Sequence, residues 1–71
     1  MMTIMQNGIS IMTSPDSSLQ VIFNNLSGRN FGGKQYQNYI KMMMREFPTL
    51  EKGKIQLCEN GKVIDRAEIK I

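Results

Sequence analysis

Ser14-Pro15-Asp16-Ser17-Ser18-Leu19-Gln20-Val21-Ile22-Phe23-Asn24 is the stretch on which the fold turns. Its first five residues are turn chemistry, because proline presets φ and the short polar side chains bond to nearby backbone. Leu19, Val21 and Phe23 then alternate with Gln20, Ile22 and Asn24, a period of two that predicts a third strand. Upstream, Met2, Ile4, Ile9 and Ile11 flank Asn7-Gly8, a pair suited to a type I′ hairpin turn, whose two central residues need positive φ. A two-residue loop there sets Ile4 opposite Ile11 and Gln6 opposite Ile9, with Met2, Ile4, Ile9 and Ile11 on one face. The opening third therefore reads as a three-stranded meander.

Downstream, Tyr36, Ile40, Met43 and Phe47 recur at helical spacing, with Tyr39 and Met44 flanking the same side. Lys34, Asn38, Lys41 and Arg45 form a stripe on the opposite side. Pro48 ends the helix near Phe47, since the residue before proline is pushed out of the α region. Gly32-Gly33 opens it, with Asn30 a candidate cap. The segment from Lys54 to Ile71 centres on Asn60-Gly61. A two-residue loop with regular pairing would set Leu57 opposite Ile64 and place Ile55 and Leu57 on the face of Arg66, Glu68 and Lys70. A three-residue loop with Gly61 left-handed in a bulge instead pairs Leu57 with Val63 and Cys58 with Lys62. It gathers Ile55, Leu57, Val63, Ala67, Ile69 and Ile71 on one face. Asp65 then points inward opposite Ile55 and needs a hydrogen-bond partner, a helix N-terminus or a rim position.

The chain has 71 residues, 41% hydrophobic and 21% charged, which suits one folded domain and excludes a two-domain enzyme. Surface scaling gives roughly 4,500 Å² of folded surface and a thin core, to which partners can add stability. No apolar run approaches membrane-spanning length. The start lacks the basic and long apolar regions of a signal peptide and is expected to belong to the fold. With no histidine and one cysteine, Cys58, there is no disulfide, no Cys-His or Ser-His pair and no four-ligand zinc set, and a reducing cytoplasm is the expected compartment. The seven methionines read as core filler rather than as thioether ligands for Cu(I). No cofactor and no catalytic residue is expected.

Charge is split by sequence half. Residues 1–28 carry one charged side chain, Asp16, whereas residues 29–71 hold all nine Lys and Arg against five acids. Gly28-Arg29-Asn30-Phe31-Gly32-Gly33-Lys34 resembles a Walker A motif over seven residues, between a predicted strand and a predicted helix. The resemblance implies a phosphate cradle, but Gln35 stands where that motif has Ser or Thr, removing the magnesium-binding hydroxyl. Free amides at a helix start near Arg29 and Lys34 also attract an anion without any family. The candidate partner- or anion-binding set is thus Arg29, Gly32, Gly33, Lys34, Asn38, Lys41 and Arg45. The same stripe is also what an ordinary solvated helix face looks like, and Glu46, Glu51, Glu59 and Glu68 interleave with the cations.

The expected fold is α+β: five short antiparallel strands in the order β-β-β-α-β-β, with one amphipathic helix on one sheet face. The expected function is binding rather than catalysis, as a small protein-binding module of adapter or inhibitor type. Nucleic-acid binding through the basic helix and the glycine-rich loop is the alternative. The uncharged N-terminal hairpin has no lysine or glutamate to guard an edge, which leaves three outcomes: it lies inside its own sheet, it pairs with a second copy in a dimer, or its edge joins a partner's sheet. In size the chain resembles, in a general way, the small accessory proteins of phages and mobile elements.

Overall fold

A computed structural model describes residues 1–70, and the expected place of Ile71 on the apolar face of the last hairpin lies outside the described residues. Six elements follow one another: β1 (Met2–Gln6), β2 (Ile9–Ser14), α1 (Leu19–Leu26), α2 (Gly33–Glu46), β3 (Gly53–Glu59) and β4 (Lys62–Ile69). The four strands form one antiparallel sheet in the order β2-β1-β3-β4, so the two hairpins meet through β1 and β3 and leave β2 and β4 as edges. Both helices cover one face. Met2, Ile4, Met12, Ile55, Leu57 and Ile69 of the sheet share a single core with Leu19, Phe23 and Leu26 of α1, Tyr36, Ile40 and Met43 of α2, and Leu50. The accessible surface, 4537 Å², matches the scaling for a chain of this mass, so no segment hangs away from the core. Among the described residues no helix is long and apolar enough to cross a membrane.

The third predicted strand is instead a helix, giving four strands and two helices rather than five and one. Leu19, Phe23 and Leu26 are its buried residues, spaced i, i+4 and i+7, a helical stripe that the alternation of Leu19, Val21 and Phe23 concealed. Val21 lies outside that stripe and is 60% exposed. The turn residues start the helix: the Asp16 carboxylate accepts from the Ser18 N–H at 2.9 Å and the Ser14 hydroxyl at 2.9 Å. Gly28 ends it, with φ +76°. The Gly28 N–H bonds to the Asn25 carbonyl and the Arg29 N–H to the Asn24 carbonyl, the paired bonds of a Schellman motif. The first glycine of the Walker-like string is therefore a helix C-terminus, and the string lies between two helices, not between strand and helix as a P-loop requires.

Both Asn-Gly pairs make two-residue turns with positive φ, at Asn7 and Gly8 and at Asn60 and Gly61. Each hairpin then slips by one residue in its outer strand. In the first, Gln6 faces Ile9 as expected, but Ile4 faces Met12 and not Ile11, because a bulge at Ile11 intervenes. Met12 is buried as a result, and Ile9 is 49% exposed. In the second, Cys58 faces Val63 and Leu57 faces Asp65, so the expected three-residue loop, with Leu57 opposite Val63, is replaced by a two-residue loop and a bulge at Ile64. The bulge solves the same packing problem from the other side: Ile55 lies opposite Ala67 and Gly53 opposite Ile69, which keeps Ile55, Leu57, Ala67 and Ile69 together, whereas Val63, expected with them, pairs with Cys58 and is 41% exposed. Asp65 does turn toward the helix layer, where Arg29 meets it.

On the same face, buried Gln6 needs partners for its amide. Its nitrogen donates to the Glu51 carbonyl at 2.7 Å, and its oxygen accepts from the Glu51 N–H at 2.9 Å. This reciprocal pair ties the segment between α2 and β3 to the central strand. Tyr36 does the same for the other end, donating its hydroxyl to the Leu26 carbonyl and accepting from the Lys70 N–H at 3.2 Å.

Candidate interaction surfaces

The residues singled out by sequence do not form one site. Gly32 and Gly33 open α2 as expected, with Gly32 as the N-cap in extended backbone and Gly33 at φ +58°. Asn30 is not the cap; its side-chain amide donates to the Asn25 side chain at 2.6 Å. Lys34, Asn38, Lys41 and Arg45 lie exposed along α2. Arg29 is separated from them by its bonds. Its guanidinium grips Asp65 with two hydrogen bonds of 2.6 and 3.0 Å, reaches the Asn24 side-chain oxygen at 3.1 Å and lies 5.6 Å from the centre of the Phe23 ring. The Asp65 carboxyl is held below the usual carboxylate range, chiefly by hydrogen bonding to Arg29. The Arg29 pKa is raised by the same bonds. Arg29 thus clasps the loop after α1 onto β4, with both terminal nitrogens of its guanidinium bonded to protein acceptors.

The two sheet edges differ in kind. β4 reads Lys62-Val63-Ile64-Asp65-Arg66-Ala67-Glu68-Ile69, and β2 reads Ile9-Ser10-Ile11-Met12-Thr13-Ser14 with no charged residue. Charged side chains are the usual guard of a sheet edge; β4 has them and β2 does not. Helix α1, which packs against β1 and β2, also lacks any charged residue. Folding therefore turns the charge split of the sequence into a spatial one: the uncharged edge and the uncharged helix lie together on one side of the molecule. Asp16, the one charged side chain of that segment, has its carboxyl pKa lowered, chiefly by the backbone N–H of Ser18.

At the far side lie three open depressions, each lined in part by Lys70, the third of them between the loop after α1 and the start of α2. The first, of about 470 Å³, is lined in part by Arg29, Lys54, Gln56, Arg66, Glu68 and Lys70. The second adds Lys52 and Gln37. Lys54 faces Glu68 across the sheet and Gln56 faces Arg66, so all four share the face away from the helices. The sequence holds this cluster as Lys52-x-Lys54 and Arg66-x-Glu68-x-Lys70, two alternating runs that only the pairing of β3 with β4 brings together. Among the described residues no group of three Cys, Asp or Glu could hold a metal ion. Cys58 is partly buried, opposite Thr3 on one side and Val63 on the other.

No curated protein and no solved structure matches the chain. One family profile does, over residues 1–70, and it carries the description Domain of unknown function (DUF7688). By that match, which spans both hairpins and both helices, the chain belongs to the DUF7688 family.

Proposed function

We propose that the chain is a small protein-binding module, of adapter or inhibitor type, whose contact surface is the uncharged side formed by β2 and α1. The observation that carries this reading is the contrast between the edges, β2 without a charge and β4 with four charged residues, Lys62, Asp65, Arg66 and Glu68. Interface centres are depleted in charged residues, and an unguarded edge offers unpaired backbone donors and acceptors to another strand. The pairing mode is strand addition. The same edge supports a homodimer, because an antiparallel two-fold copy of β2 sets no like charges against each other. A 71-residue chain with a thin core gains stability from either partner.

Light scattering across a concentration series, on the wild type and on Thr13→Lys, tests the reading. Thr13 is exposed, so the substitution adds an edge guard with little effect on folding. A concentration-dependent dimer that Thr13→Lys abolishes supports self-pairing, and a strict monomer at every concentration overturns it. Affinity capture with the same two proteins tests a foreign partner. A partner held by the wild type and lost by Thr13→Lys supports the module reading, and one held equally by both overturns β2 as its surface.

A further inference from the structure

We infer that the basic end of the β3–β4 hairpin binds the phosphate backbone of a nucleic acid without reading its bases. This inference concerns the edge opposite β2 and does not rest on the protein-binding reading. Lys54 and Arg66 share the uncovered sheet face as diagonal neighbours, with Lys52 and Lys70 at the strand ends beside them and one carboxylate, Glu68, among them. Arg29 and Asp65 neutralise each other at the border, and among the described residues theirs is the one ion pair, so neither Lys54 nor Arg66 is spent on a carboxylate.

The shape favours a polymer. The two depressions lined by these cations are open and share Glu68 and Lys70, so they suit a chain crossing the surface better than an enclosed small molecule. Lys54 and Arg66, diagonal neighbours across the ladder, stand about 7–8 Å apart, and Lys52 and Lys70, one residue beyond the ends of β3 and β4, complete the grid. A stacked nucleic-acid strand carries one phosphate per roughly 3.4 Å of rise, so this grid can meet several phosphates. Base recognition on an open sheet uses aromatic platforms, and none of the four strands contains an aromatic residue. Contact is therefore with phosphates, and affinity should be indifferent to base sequence.

The test is fluorescence anisotropy with a labelled mixed-sequence single-stranded oligonucleotide and its duplex, titrated at several salt concentrations. Four cations predict a log–log salt slope of about −2.8 for the single strand and about −3.6 for the duplex. The double variant Lys54→Gln/Arg66→Gln should halve both slopes, while Lys41→Gln/Arg45→Gln on α2 leaves them unchanged. Circular dichroism confirms that each variant is folded. Absence of binding by the wild type at low salt overturns the proposal, as does a slope that falls only in the α2 variant. Displacement by polyglutamate as effective as that by unlabelled oligonucleotide assigns the site to acidic protein and overturns it too.

Discussion

Replacing Gly28 with alanine tests the reading of residues 19–28 as a capped helix, because the substitution changes little except backbone strain. Gly28 holds φ +76°, where an L-residue brings its Cβ close to the following carbonyl oxygen. A Cβ built there meets nothing nearer than the Tyr36 ring, at 3.6 Å, an ordinary contact, so packing adds no penalty. The left-handed conformation then costs about 1–2 kcal/mol. A 71-residue domain has a total stability of roughly 4–11 kcal/mol, so this is a large share. With a urea m-value of about 1 kcal/mol/M, the midpoint should fall by about 1–2 M. Gly32→Ala is the control: Gly32 has extended backbone at φ −142° and open space where a Cβ would go, so the reduced freedom of the unfolded chain offsets the weaker N-cap and the midpoint should move by less than about 0.5 M. The assay is urea denaturation followed by far-UV circular dichroism on all three proteins. A Gly28→Ala midpoint equal to that of the wild type would refute the Schellman ending, and equal losses at both glycines would refute the assignment of different backbone roles.

Further outcomes follow from the same contacts. Asp65→Asn should lower stability at neutral pH by at most about 1 kcal/mol, since the pair is 43% and 28% exposed and solvent screens it. The folded carboxyl is more acidic than its ordinary value of 3.8, so the wild type's advantage is present above that value and fades as pH falls through the folded pKa. Urea midpoints from neutral to acidic pH should converge, and a gap that widens toward acid would reverse the sign. Gln6→Leu should cost about 1–3 kcal/mol by leaving the Glu51 N–H and carbonyl without protein partners, read as a thermal shift; an unchanged transition would refute the anchoring role. Phe23→Ala should cost about 3–5 kcal/mol, a large share of the total, since that ring is fully buried between sheet and helices; a urea midpoint close to the wild type's would refute its place in the core.

The sequence shows α2 clearly because a fourteen-residue helix repeats its apolar stripe several times, and Tyr36, Ile40 and Met43 are buried as the spacing predicts. An eight-residue helix repeats its stripe only twice, and Leu19-Gln20-Val21-Ile22-Phe23 satisfies both periods within that length. Two signals could have decided it: Leu26, which extends the helical spacing and has no place in the alternation, and Gly28, which fits a helix end. The Asn7-Gly8 turn is legible because φ demands are local, whereas the three-residue loop expected around Asn60-Gly61 is a two-residue turn, its register corrected by the bulge at Ile64. The bulges at Ile11 and Ile64 are not legible, since whether Met12 or Ile11 enters the core is decided by α1 above the sheet. The basic cluster at Lys70 escaped for a related reason: its cations alternate with apolar residues in two separate strands and meet only through pairing. Arg29 looked like an anion ligand, and the inward Asp65, foreseen as needing a partner, is what claims it.

Amide hydrogen exchange on β2 and β4, measured at low and high protein concentration, bears most directly on the central claim that the uncharged edge is the contact surface. If β2 pairs with a second copy, amides within Ile9–Ser14 that point away from β1 gain protection as concentration rises, while amides of β4 do not change. The same β2 amides exchanging freely at every concentration, or protection appearing along β4 instead, would contradict the account of β2 as a self-pairing edge.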